Sequence, residues 1–365
     1  MFSQLPSDQK IGIIGSGQLG LMMVLEGLKL GLKFNILGNK KDYVCKFASC
    51  YGYEDIDKFL DESDIITFEF EQGNEDAMIA ASDMGKLYPN YKSVWLKIER
   101  DREKEFLASK GLPVPRFKIA ENGSEALKII KDEFNGTAVV KRTKGGYDGK
   151  GQIYIKNNNF IDQLKTINDR LVIEEFVDFD YECSVIVVRG ARDFFNYPVS
   201  FNYNREGILI YNYGKIEDKG EVKIAKDLTK YLNYRGTMGV EFFIKDGKVM
   251  INEFSPRVHN SGHYTLNSSF TSQFENHLRA ISNMSLGSTE TLNFFGMVNI
   301  LGKTDVQSEL LKYGTVYWYG KENSNPRRKV GHINIIGSSI EDVKTKIDSL
   351  ISQLYPDNLE SIRII

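Results

Sequence analysis

The chain has 365 residues, 41% of them hydrophobic and 12% aromatic, with a formal charge of −2 and a pI near 6.2. That length exceeds one ordinary core and predicts two or three domains, while the near-neutral charge removes the electrostatic case for nucleic acid or an anionic membrane as partner. No apolar run approaches the ~18 residues needed to span a bilayer. Met1 to Asp8 lack the order of a signal peptide, and Cys45, Cys50 and Cys183 show no metal-binding spacing, so a cytoplasmic protein with reduced, buried thiols is expected.

Along the chain, Lys10 to Ile14 reads as a strand, Gly15-Ser16-Gly17-Gln18-Leu19-Gly20 as a tight turn, and the stretch to about Leu30 as an amphipathic helix. Strands at Phe34 to Leu37 and Ile65 to Phe70 complete a βαβ pattern and predict a parallel sheet. The Gly-x-Gly-x-x-Gly turn offers helix N–H groups to a phosphate or other polar ligand. Dinucleotide binding also needs an acid at the end of the second strand, and here that strand ends in Leu37-Gly38-Asn39. Phe68-Glu69-Phe70-Glu71 puts acids at the carboxyl end of a parallel strand, where such sheets bind ligands. A helix from about Arg102 to Lys110 stops at Gly111, and a domain boundary is placed near residues 98 to 112.

Strands then dominate: Thr137 to Lys141, Gln152 to Ile155, Leu171 to Phe176 and Glu182 to Val188. The first runs into Lys141-Arg142-Thr143-Lys144-Gly145-Gly146-Tyr147-Asp148-Gly149-Lys150-Gly151-Gln152, a loop of four glycines and several cations suited to covering phosphates. It is not a Walker A box, since no Gly-Lys-Ser/Thr opens a helix. Further on, Val240 to Ile244 and Val249 to Phe254 read as a hairpin around Asp246-Gly247. A two-residue loop would pair Glu241 with Asn252; a three-residue loop with Gly247 or Lys248 left-handed sets Glu241 opposite Glu253. The second register is preferred because it explains both acids together, as ligands of Mg²⁺. Helices are expected at Gln273 to Met284 and Ile340 to Leu354, with a strand-rich segment from Phe295 between them.

After Glu253 come Pro256-Arg257-Val258-His259-Asn260-Ser261-Gly262-His263. A guanidinium holds a carboxylate or carbonate bidentately, and an imidazole beside it moves protons. This ending resembles the metal and substrate segment of the 5-(carboxyamino)imidazole ribonucleotide synthetase family, ATP-grasp ligases of purine biosynthesis. So do the Lys141 to Gln152 loop, Tyr319-Gly320-Lys321 and Arg328-Lys329-Val330-Gly331-His332. The resemblance runs from Gly15 to His332 with its motifs in order.

It implies an ATP-grasp fold of mixed α/β and α+β class. A Rossmann-like domain would span residues 1–105, the ATP-grasp domain 106–290 with a lid at about 112–178, and a small strand-rich carboxy-terminal domain 291–365. It implies that Arg100, Lys141, Gly146 to Gln152, the Glu174-Glu175-Phe176-Val177 strand end, Glu182, Asn252 and Glu253 bind ATP. Gln18, Glu69, Tyr147, Asp148, Lys321, Arg328 and Lys329 would meet aminoimidazole ribonucleotide. Glu241 and Glu253 would hold Mg²⁺, and Arg257, His259 and Asn260 would work on bicarbonate. It further implies a homodimer. Two departures stand out: Phe201-Asn202-Tyr203-Asn204 lacks a histidine that the family uses on nucleotide, and Val258 replaces the usual Pro. The alternatives are another ATP-grasp ligase, such as a biotin carboxylase-like enzyme or formate-dependent glycinamide ribonucleotide transformylase, and a non-catalytic nucleotide sensor. Those rival ATP-grasp ligases typically carry Asn two residues after the second metal acid, where this chain has Ser255.

Overall fold

The computed structural model describes residues 8–145, 151–156, 164–305, 307–321 and 325–355. Strands β1 (Lys10–Ile14), β2 (Lys33–Leu37), β3 (Ser49–Tyr51) and β4 (Ile65–Phe68) form a parallel sheet in the order β3-β2-β1-β4. Helix α1 (Gln18–Leu28) buries Leu21, Met22, Met23 and Val24 against Ile11, Ile13 and Phe34. A second, antiparallel sheet contains β5 (Phe117–Ala120), β6 (Ala138–Arg142), β7 (Gln152–Ile155) and β8 (Leu171–Glu175) in the order β5-β8-β6-β7.

The third sheet has nine strands: β9 (Tyr181–Arg189), β10 (Phe194–Asn196), β11 (Ser200–Arg205), β12 (Ile208–Gly214), β13 (Gly236–Lys245), β14 (Lys248–Ser255), β15 (Phe294–Leu301), β16 (Thr315–Trp318) and β17 (Lys329–Gly337). Its order is β14-β13-β9-β11-β12-β15-β17-β16, with β10 beside β9. The carboxy-terminal strands therefore continue the central sheet through the β12–β15 pairing. One end packs on the helix Glu221–Tyr231 through Val185, Val187, Val240 and Leu228, the other on the helix Ile340–Leu354 through Val298, Ile333, Ile347 and Leu350. The helix Gln273–Ile281 ties the first sheet to β13 and β9 of the third, since Phe274 and Leu278 enter the same core as α1.

Two expectations need correction. Glu241 does stand opposite Glu253, but through a two-residue loop: Asp246 (φ 48°) and Gly247 (φ 73°) take the paired left-handed conformations of a tight hairpin, and Lys245 pairs with Lys248. Phe242 then faces Ile251 and Glu241 faces Glu253, leaving Asn252 as the extra residue of a β-bulge. The bulge, not a longer loop, turns both acids to one face. Second, Cys45 and Cys50 are joined in a disulfide where reduced thiols were expected. Their Cα atoms lie 5.6 Å apart across a short loop, within bridging range, while Cys183 is a buried thiol.

Candidate active site

A cavity of about 850 Å³ opens where the three sheets meet. Among the described residues proposed from sequence, it is lined by Gln18, Glu69, Arg100, Lys141, Gln152, Glu174, Glu175, Phe176, Val177, Glu182, Glu241, Asn252, Glu253, Arg257, His259, Asn260, Lys321, Arg328 and Lys329. Gly151 lies just outside this lining, its carbonyl accepting from the Arg142 N–H at 3.1 Å. Gly146, Tyr147, Asp148, Gly149 and Lys150 fall outside the described residues.

The glycine-rich turn serves an internal anion. Glu69, carried past the end of β4, accepts hydrogen bonds from the N–H groups of Gly17 (2.5 Å) and Gly20 (2.9 Å). A Cβ at Gly15 or Gly17 would lie 2.4 or 2.6 Å from the Glu69 side chain, so only glycine admits it. A carboxylate of the protein thus occupies the helix N-terminus that the sequence offered to a phosphate. Burial raises the Glu69 pKa despite these two donors. Beside it, Lys321 donates to Gln18 Oε1 at 2.6 Å, across 303 positions of chain, and to the Lys329 carbonyl at 3.0 Å, bringing three proposed ribonucleotide residues together. Burial and the neighbouring Arg328 lower Lys321 to about 8.

Across the cavity, the opposite end has alternating charges. Glu174 lies between Lys141 (2.9 Å) and Lys104 (3.2 Å), and Lys104 also donates to the bulged Asn252 carbonyl at 2.9 Å. Glu182 accepts from the Asn204 amide at 2.8 Å. Asn204, standing near the missing family histidine, therefore orients a neighbouring acid. Burial, partly offset by that amide, raises Glu182 to about 7.

Between these ends lie the acids of the hairpin. Lys97 donates to Glu253 at 2.8 Å and to Glu103 at 2.9 Å. Burial would lower this ammonium, but Glu103 and Glu253 outweigh it and raise its pKa. For Glu253 burial works upward, yet Lys97 holds it well below the usual carboxylate range. Among the described residues Glu241 has no such lysine partner: burial, then the charge of Glu253, pushes it up to about 8. Nothing in the sequence around Lys97 marks it. It sits in the last turn of an ordinary helix, Tyr91–Ile98, and only the fold brings it to Glu253.

Arg257 is ion-paired with Glu71, Nε to Oε2 at 2.5 Å and NH2 to Oε1 at 3.4 Å, and NH1 donates to the Val258 carbonyl at 3.1 Å. These bonds use three of the five guanidinium donors and leave one on each terminal nitrogen, a fork suited to a second planar anion. His259 keeps 12% of its side chain exposed, and desolvation, then Arg257, lowers it to about 3.

The match to known proteins is consistent along the chain. The ribonucleotide synthetase preATP-grasp domain matches residues 8–97, the ATP-grasp domain 105–274 and the phosphoribosylaminoimidazole carboxylase C-terminal domain 296–346. N5-carboxyaminoimidazole ribonucleotide synthase of Saccharolobus solfataricus is 50% identical over 99% of this chain and all of its own. The chain belongs to the N5-carboxyaminoimidazole ribonucleotide synthase family. The Aquifex aeolicus relative of the same name is 45% identical over 94% of this chain and 96% of its own. Among solved structures, an N5-carboxyaminoimidazole ribonucleotide synthetase in complex with ADP superposes with a TM-score of 0.90 at 34% identity, covering 97% of this chain and 98% of the other. The phosphoribosylaminoimidazole carboxylase ATPase subunit of Aquifex aeolicus gives 0.81 at 42% identity, over 94% and 99%. The protein is thus an ATP-dependent carbon–nitrogen ligase that carboxylates aminoimidazole ribonucleotide in purine biosynthesis. Biotin carboxylase-like chemistry, formyl transfer and a non-catalytic sensor are set aside.

Proposed function

We propose that the cavity performs this carboxylation in two halves, with bicarbonate between them. The observation that carries the reading is the facing pair Glu241 and Glu253 at the junction of the Lys141 and Lys321 ends. ATP would lie with its adenine against the Glu174 to Val177 strand end, its ribose at Glu182, and its phosphates toward Lys141 and Arg100. The ribonucleotide would occupy the opposite end, at Gln18, Glu69, Lys321, Arg328 and Lys329, with Tyr147 and Asp148 of the expected lid above it.

Mg²⁺ fits the acids present. Glu241 and Glu253 stand opposite each other on the hairpin and both line the cavity, and among the described residues no three His, Cys, Asp or Glu side chains converge on one point. A site of two carboxylates completed by substrate phosphates is the usual demand of this ion. When bound, it would neutralise charge on the β- and γ-phosphates.

The protein's own groups then act in sequence. The outer fork of Arg257, oriented by Glu71, holds bicarbonate so that one oxygen attacks the γ-phosphorus and ADP departs. The carboxyphosphate so formed releases phosphate and CO₂, and the exocyclic amine of the ribonucleotide bonds to that carbon and loses a proton. His259 and Asn260 line the cavity where this carbon would sit. A closed site matters because carboxyphosphate is lost to water.

Lys329 provides the test of the ribonucleotide end. Its contact is remote from the reacting amine and equal in ground and transition states, so Lys329→Ala is expected to raise the ribonucleotide KM while sparing kcat. Steady-state kinetics with varied ribonucleotide checks this, and an unchanged KM would return the basic cluster to a solvated turn.

We also place the protein in the cytoplasm with its substrates. The Cys45–Cys50 bridge is unusual there outside hyperthermophiles. No helix of the described residues is long and apolar enough to cross a membrane. The family resemblance further supports a homodimer. Exposed Leu25 and Leu28 on α1 provide apolar surface for one, and a mass measurement in solution decides it.

A further inference from the structure

His259 is held on every side but one. The buried Gln273 side chain clamps its backbone, accepting from the His259 N–H at 2.9 Å and donating to its carbonyl at 2.6 Å. Its ring base rests on Gly239, where any Cβ would come within 2.5 Å of the His259 Cβ. Nδ1 faces the Ser261 backbone N–H at 3.4 Å and the Ser261 Oγ at 2.9 Å. The remaining nitrogen, Nε2, lies 3.9 Å from Glu241 Oε1, on the cavity side.

The proton follows from these contacts. A backbone N–H only donates, so Nδ1 is an acceptor. Ser184 Oγ has one proton and two acceptors in reach, Ser261 Oγ at 2.8 Å and Asn202 Oδ1 at 3.2 Å; given to the nearer, it turns the Ser261 hydroxyl proton toward Nδ1. A neutral imidazole carries one N–H, and with Nδ1 doubly engaged as acceptor it is at Nε2. An imidazolium would set Nδ1–H against the fixed Ser261 N–H.

We propose that Ser261 is a positioning residue that locks His259 as the Nε2–H tautomer, so that His259 enters the reaction as a hydrogen-bond donor to a carbonate oxygen and not as its base. This rests on the reading that places bicarbonate beside Arg257. It assigns the amine proton to an acceptor other than His259, and it extends the site to Ser261 and Ser184, neither of which lines the part of the cavity where substrate would lie.

The chain has four histidines, so their ring nitrogens are separable by NMR of protein labelled with ¹⁵N at histidine. In the resting wild-type protein, the unprotonated nitrogen of His259 is expected to be Nδ1. A proton on Nδ1, alone or with Nε2, overturns the proposal. Ser261→Ala keeps the backbone N–H and removes the hydroxyl. It is expected to shift the Nδ1 resonance and lower kcat about tenfold, the scale of one hydrogen bond, with the ATP KM unchanged. A full kcat in a folded Ser261→Ala protein also overturns it. If that variant fails to fold, the wild-type tautomer still decides. The tautomer is read without substrate, so it stands apart from the bicarbonate assignment: an Nε2–H ring in a protein whose His259→Asn variant keeps full kcat would sink that assignment instead.

Discussion

Glu253→Gln is expected to lower ATP turnover by ~10²-fold or more at saturating Mg²⁺, because it removes one of two acids that would neutralise the phosphates through the ion. The two acids differ in their effect on stability. Glu253 is held in its charged form by Lys97, whereas Glu241 is raised to about 8 by burial and by Glu253. An acid whose folded pKa is raised opposes folding once pH exceeds its unfolded value, and the penalty grows until the folded pKa is reached. Between pH ~5 and 8, Glu241→Gln is therefore expected to raise the melting temperature of metal-free protein. Glu253→Gln, which strips the buried Lys97 of a charged partner, is expected to lower it. Melting curves of both variants without metal, beside turnover with it, check the pair. Unchanged turnover in Glu253→Gln would remove the metal assignment.

His259→Asn carries the second large effect. The ring is fixed at the cavity wall beside Arg257, and a donor aimed at charge that develops in the reaction typically contributes ~10²–10³ in rate. The variant is expected to lose that factor in kcat even at saturating ATP, bicarbonate and ribonucleotide, while melting close to wild type. A full kcat would leave Arg257 alone at the carbonate.

The sites most legible in the sequence were those carried by local pattern. Apolar runs bounded by glycine located the strands around the cavity, and β7 spans the expected Gln152–Ile155. The Glu241–Glu253 pairing was readable as a consequence, but not its cause. A bulge at Asn252 depends on which neighbours β13 and β14 meet, and Asp246-Gly247 alone is compatible with either loop length. The glycine-rich turn was recognised as an anion site, yet the anion is Glu69, 52 residues from Gly17, a pairing that only the β1–β4 packing creates. Lys97 escaped a functional assignment, and Glu71 its pairing with Arg257, for the same reason. Each acts on a partner that the fold, and not the sequence, brings near: Lys97 reaches Glu253 across 156 positions, and Glu71 reaches Arg257 across 186. The Cys45–Cys50 bridge lacked any signal beyond proximity.

The reading depends most on bicarbonate, held by Arg257, being the group that takes the γ-phosphoryl from ATP. Turnover in ¹⁸O-labelled bicarbonate with aminoimidazole ribonucleotide tests it by mass analysis of the phosphate released. Attack by a bicarbonate oxygen on phosphorus, followed by cleavage of the carbon–oxygen bond, is expected to leave one bicarbonate oxygen in each phosphate. Phosphate carrying no label, while carboxylated ribonucleotide still forms, would contradict the account.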